Sequence, residues 1–129
     1  MEVGDFAYVV ETEKDFEDAV VSVLKAVDQK GWALFNVYDI RERLAAKGFV
    51  HEQVKIIEIC SGKYASQFLK KNRLVSLCLP CKIVVFEDAG KVKIAGMKPG
   101  MLSELFREIS KAETEAVESE VREIVDKAK

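Results

Sequence analysis

The segment that most restricts the fold runs from Lys82 to Gly96, where the stretches KIVVFE and KVKIAG flank the tripeptide DAG. Apolar and polar side chains alternate in both stretches, as they do in strands that bury one face. A glycine-containing connection this short joins antiparallel neighbours, because parallel strands need a crossover of a dozen or more residues. The sequence therefore predicts an antiparallel hairpin.

Three further strand-like stretches precede this hairpin, over residues 5–11, 32–38 and 53–59, and helical periodicity follows each of them, over residues 16–30, 40–47 and 63–71. No glycine-rich phosphate turn accompanies these strands, which argues against a doubly wound parallel sheet. The pattern predicts an α+β fold with a mostly antiparallel five-stranded sheet and helices chiefly on one face. The length of the chain fits one domain over residues 1–129.

Apolar residues at helical spacing from Leu102 to Val125 predict one long C-terminal helix that begins after Pro99. Such a helix is longer than a small sheet needs for cover. We expect its inner half to pack on the sheet. Its outer half would either contact a second subunit or form the frayed, charged end of a long cover helix.

The charged residues are evenly mixed, with 20 basic and 22 acidic side chains and a net charge of −2. The absence of a basic stripe argues against a nucleic-acid binder. The first residues do not resemble a signal peptide, and no stretch approaches the roughly 18 apolar residues of a membrane span. We therefore expect a cytoplasmic protein with reduced thiols and no membrane partner. Its three cysteines are an odd number, which excludes a complete disulfide framework.

Three segments together resemble the domain-of-unknown-function family 302 (DUF302) in order and spacing. They are NVYDIRERLAAKGF, IIEICSGKYASQFLKKN and LPCKIVVFEDAGKVKIAGMKPGML. The resemblance implies a TATA-binding-protein-like α+β fold, often a homodimer, with no established activity. The family pattern usually has Cys-Asn-Pro where this chain has Cys60-Ser61-Gly62, and its Pro-Cys matches Pro80 and Cys81. Cys78 lies outside that pattern.

Cys60 follows a strand and precedes a helix. Free amide groups at a helix N-terminus favour a thiolate, and the small residues Ser61 and Gly62 would leave it approachable. Lys63 belongs to a basic cluster that could attract an anion near Cys60, and the cluster also includes Lys70, Lys71 and Arg73. The alternatives are a buried cysteine that behaves as a small apolar residue and an ordinary charged helix face.

Cys78 and Cys81 form a Cys-x-x-Cys motif that runs into a strand, so it lacks the helix dipole of thioredoxin-like pairs. The spacing still permits a reversible disulfide. Pro80 is expected to fix the turn before the strand, as a cis peptide.

A zinc site would need His51 together with the three cysteines, but one Cys-x-x-Cys is only half of a zinc motif. We expect no metal. No serine–histidine–acid triad can be identified with a single histidine, and glycine-rich nucleotide motifs are absent, so no cofactor is implied.

Two functional hypotheses remain. In the first, a cytoplasmic homodimer carries a thiol pocket for redox or sulfur chemistry, or for a small or sulfur-carrying ligand. Cys60 would be the nucleophile, Cys81 or Cys78 would be the resolving thiol, and Ser61, Gly62, Lys63 and Pro80 would contact the ligand. In the second, the protein is a non-catalytic binding or interaction module whose cysteines belong to the core.

Overall fold

The computed structural model describes residues 1–129 as one five-stranded sheet with seven short or medium helical segments. The strands are β1 Ala7–Thr12, β2 Ala33–Asp39, β3 Val54–Cys60, β4 Cys81–Asp88 and β5 Lys91–Met97. The α-helices are α1 Val3–Phe6, α2 Phe16–Gln29, α3 Ile40–Ala45, α4 Gly62–Lys71, α5 Met101–Leu105 and α6 Lys111–Ala128, and a 3₁₀ helix covers Arg73–Cys78.

The sheet has the strand order β1-β5-β4-β3-β2, and every neighbouring pair is antiparallel. The predicted hairpin between β4 and β5 is confirmed. Its two turn residues, Ala89 and Gly90, have φ angles of 51° and 81°. Positive φ at both positions is the geometry that matches the twist of a tight antiparallel hairpin. The α+β class and the antiparallel sheet are therefore as the sequence predicts.

One face of the sheet carries the hydrophobic core. Alternate residues of the central strands point to it and are fully buried, among them Ile57, Ile83 and Ile94. Helix α2 begins at an Asp15 cap, whose side chain accepts a hydrogen bond from the Asp18 N–H at 2.9 Å. Helices α2, α4, α5 and α6 and the 3₁₀ helix all contribute to this one core, whereas α1 and α3 bury no side chain. The helices thus cover a single face of the sheet.

The C-terminal segment differs from the single long helix that periodicity predicts. It forms α5 and α6, which are separated by Phe106–Ser110. Ser110 and Glu113 make a capping box that starts α6 as a new helix. The outer half of α6 buries Val125 and Ala128 completely within its own chain, where α6 packs along α2. The apolar face of that half is therefore covered within the chain, which removes the reason for expecting a subunit contact there.

The opposite face of the sheet, which we call the open sheet face, presents an apolar row across all five strands. Cross-strand register places these residues side by side: Val9, Ala95, Val84, Ile56 and Tyr38. Charged residues flank the row, including an ion pair between Lys82 and Glu58 at 3.8 Å. None of the helices has the length and apolar character to cross a membrane.

Close contact between β5 and α6 depends on Gly96. A Cβ atom at this position would lie 2.8 Å from Val121 Cγ1 and 3.3 Å from Val125 Cγ2. Both valines are buried, so neither can move aside freely. We expect Gly96→Ala to lower the free energy of unfolding by about 1–3 kcal/mol, as overpacking of a core does. Chemical denaturation measures this change.

Gly62→Ala is the matched control, because a Cβ at Gly62 would meet no atom within 4 Å. Gly62 opens α4, where alanine is the better helix former, so this variant should be unchanged or more stable by up to about 1 kcal/mol. Equal stability of Gly96→Ala and the wild type would contradict the proposed contact.

Candidate functional site

Cys60 is the last residue of β3, and α4 begins two residues later at Gly62. Ser61 occupies the N-cap position, but its side chain makes no capping hydrogen bond. The sequence left two alternatives for Cys60, an approachable thiolate at the start of a helix and a buried apolar cysteine. Burial raises the pKa of the half-buried Cys60 thiol, which favours the second alternative. Desolvation opposes the charged form of a thiol.

Cys81 opens β4 directly after a cis peptide bond between Leu79 and Pro80, as predicted. The antiparallel register pairs Cys81 with Ile59, the residue before Cys60. The pairing therefore brings two cysteines that are distant in sequence to the same end of the sheet. Burial raises the pKa of Cys81 to about 11. The neighbouring Cys60 adds to this rise, whereas the ammonium of Lys82 opposes it.

Cys60 and Cys81 share a small inner cavity, with a volume of about 20 Å³. Ser61 and the aromatic side chains of Trp32 and Tyr64 also line it. This volume is close to the minimum of about 10–15 Å³ that one water needs, and a water there would also need polar partners. The inner cavity is a packing defect of the core and has no room for an organic ligand.

The aromatic wall of the inner cavity is held by Glu120 on α6. Its Oε1 accepts a hydrogen bond from Trp32 Nε1 at 3.0 Å, and its Oε2 accepts one from the Tyr64 hydroxyl. Burial raises the pKa of Glu120, but these two hydrogen bonds, together with Lys30 and Lys63, give a net lowering. A charged Glu120 thus fixes both rings beside Cys60.

Sequence reasoning missed this network. One signal was available, since the single tryptophan needs an acceptor for its N–H when it is buried. The position of that acceptor, far along the chain on α6, could not be read from local patterns.

A second recess, which we call the thiol groove, lies on the other side of Cys81. Cys78, at the end of the 3₁₀ helix, and Cys81 both line it, as does Pro80. Another wall comes from the end of β5 through α5 and includes Met97 and Leu105. The volume is about 180 Å³, and apolar side chains provide most of the lining. The three cysteines are free thiols.

The other predicted ligand contacts lie elsewhere. Gly62 lines a shallow surface groove along α4, together with Lys70 and Arg73. The Lys63 ammonium lies over the ring of Tyr64, 5.3 Å from its centroid. Of the predicted contacts, only Pro80 borders the thiol groove.

His51 is exposed in the loop before β3. No group of three or more histidine, cysteine or acidic side chains lies close enough together to hold a metal ion. The four residues considered for zinc are therefore not assembled into a site.

The arrangement predicts a clear order of thiol reactivity. With iodoacetamide at neutral pH, Cys78 should react first, because burial raises the pKa of Cys60 and of Cys81 and the thiolate is the reactive form. For Cys81, whose pKa is raised to about 11, we expect a rate at least ~10-fold below that of Cys78. Mass spectrometry of peptides from partly labelled native protein measures it. The rate at Cys81 should keep rising as the pH approaches about 11.

The variant Cys78→Ser should remove the fast phase and leave the slow ones unchanged. Unfolded protein should label at all three positions with similar rates. Fast labelling of Cys60 or Cys81 in the native protein at neutral pH would contradict the assigned geometry.

The comparisons with known proteins agree with this fold. Residues 8–128 match the model of the family described as "Domain of unknown function DUF302". The chain is also similar to a solved structure, described as an uncharacterized conserved DUF302 protein from Bacillus stearothermophilus. The TM-score is 0.88 and the identity 26%, over 96% of this chain and 98% of that one. None of the curated proteins matches the sequence. With a match over nearly its whole length, this chain belongs to the DUF302 family.

Proposed function

We propose that this protein binds a small, mostly apolar molecule in the thiol groove, with Cys78 and Cys81 as wall residues and Cys81 protonated. One observation carries the proposal: two cysteines open on one concave, largely apolar recess of about 180 Å³. Ligand sites are typically apolar clefts with a few polar groups, although drug-sized ligands need larger ones, of about 300–1,000 Å³. The groove therefore suits a molecule smaller than a drug.

Binding explains the state of the cysteines better than redox catalysis does. In an exchange reaction, a thiolate of Cys78 would attack a disulfide ligand and release one thiolate. Cys81 would then attack the Cys78 sulfur, release the second thiolate and leave a Cys78–Cys81 disulfide. That second step requires ionised Cys81, and burial raises its pKa to about 11. Protonated thiols instead behave as small, polarisable apolar groups.

We propose the cytoplasm as the site of action, because three free thiols are compatible with a compartment that keeps cysteines reduced.

Titration with 1-hexanol, followed by amide NMR shifts, tests the proposal. Shifts should concentrate at the 3₁₀ helix, the start of β4 and α5. Leu105 is 58% exposed at the groove, and Leu105→Ser should weaken binding about fivefold, since part of a leucine contact is lost. Leu74→Ser is the control, because Leu74 is 60% exposed on the 3₁₀ helix but does not line the groove. Shifts scattered over the surface, or equal effects of both variants, would refute the assignment.

We further propose that the chain forms a homodimer through the open sheet face. The apolar row across five strands supports this, because a sheet face with apolar side chains at its centre gains free energy when it is covered. A two-fold axis near Val84 would stack the row on its own copy.

Sedimentation analysis measures the oligomeric state directly. The wild type should be a dimer, and Val84→Lys should be a monomer with an unchanged helical spectrum. Val21→Lys, at an exposed valine of α2, should remain a dimer. If Val84→Lys fails to fold, Val9→Lys on the edge strand takes its place. A monomeric wild type at millimolar concentration would rule the dimer out and leave the groove proposal intact.

A further inference from the structure

We infer that the ligand of the thiol groove is a small amphiphilic anion, an aliphatic chain that ends in a carboxylate. This inference rests on the proposed binding function of the groove and adds the chemical class of the ligand. It follows from three properties of the recess, which are the sign of its charges, the chemistry of its walls and its volume.

The charged side chains that line the groove are Lys82 and Lys98, and no acidic residue lines it. Lys82 is next to Cys81 and is 46% exposed at its side chain. Its one carboxylate neighbour, Glu58, is 3.8 Å away, at the long end of an ion pair. The Lys82 ammonium can therefore donate a hydrogen bond to a ligand without breaking a close contact.

Lys98 presents the second positive charge. Its ammonium donates a hydrogen bond to the carbonyl oxygen of Gly4 at 2.5 Å. A carbonyl orients an ammonium but does not neutralise it, and two further N–H donors remain. Lys98 also borders a neighbouring recess that contains Asp5, Glu104 and Glu118. The negative charges of these acids partly cancel the attraction of Lys98 for an anion in the groove. Lys82 is accordingly the main anion partner.

The remaining walls select the rest of the ligand. Thiols, proline and the aliphatic side chains of Leu77 and Leu102 offer no strong hydrogen bonds to a polar chain. The recess has a volume of about 180 Å³, below the range of about 300–1,000 Å³ that drug-sized ligands occupy, so it suits a short chain. Such a chain would lie against the apolar walls, with its terminal carboxylate at the lysines. Hexanoate, whose five-carbon chain ends in a carboxylate, is the probe of this class.

The experiment compares hexanoate, 1-hexanol and hexylamine, which share one chain and differ in the charge of the end group. Amide NMR titration gives each affinity and places each ligand on the structure. Hexanoate should bind in the groove about tenfold more tightly than hexanol, as a charge-assisted hydrogen bond provides. Hexylamine should bind more weakly than hexanol, because its ammonium meets Lys82.

Lysine variants assign the charge effect to the groove. Lys82→Gln should bring the hexanoate affinity close to that of hexanol, and Lys98→Gln should reduce it less. Lys91→Gln is the control, because Lys91 is at the other end of β5 and does not line the groove. Hexanol binding should be the same in all of these proteins.

The outcomes separate this inference from the proposed function. Equal affinity for hexanoate and hexanol, or a preference for hexylamine, would overturn the anionic ligand and leave an apolar binding site. A hexanoate preference that survives in the Lys82→Gln, Lys98→Gln double variant would also overturn it. If neither hexanoate nor hexanol binds in the groove, both proposals fall.

Discussion

The antiparallel register between β3 and β4 is the constraint on which the candidate site depends. It sets Ile59 opposite Cys81, so the cysteine that ends one strand lies beside the cysteine that begins the next. A shift of one residue would turn the core side chains of one of the two strands, either Ile57 and Ile59 or Ile83 and Val85, out of the core. The free energy that buries these side chains therefore also holds Cys60 against Cys81. The position of the thiols is a consequence of core packing.

Because core packing positions the thiols, it also determines how readily they ionise. Cys81 lines both the inner cavity and the thiol groove, and the loss of water around it raises its pKa more than the nearby charges change it. The single opposing influence is Lys82, which belongs to the same strand and borders the groove. Reactive cysteines normally need an electropositive, hydrated setting, and Cys81 has only part of one. The protonated sulfur of Cys81 suits binding, and Lys82, whose ion pair with Glu58 is long at 3.8 Å, supports the proposed anion contact.

Local sequence patterns predicted much of the fold and less of the site. Alternating apolar and polar side chains in KIVVFE and KVKIAG predict the hairpin. Helical periodicity predicts the bounds of α2, α3 and α4 to within a few residues. The break before Ser110 was missed because the apolar spacing continues through it, although the capping pair of Ser110 and Glu113 marks the new start. The thiol groove is formed where the 3₁₀ helix, the cis-Pro turn and α5 meet. Local sequence patterns do not predict how these separate segments pack together. The link from Glu120 to Trp32 joins residues 88 positions apart and depends on the packed structure.

The central claim is that Cys81 stays protonated as a wall of the binding groove. Its most direct test is an NMR titration of protein with ¹³C at the cysteine β-carbons, whose chemical shifts report ionisation of each sulfur. The account predicts that the Cys81 chemical shift is constant around neutral pH and changes only at high pH, with a midpoint at about 11. A midpoint near or below neutral pH would make Cys81 a thiolate, and the groove would then be a reactive centre instead of a binding site.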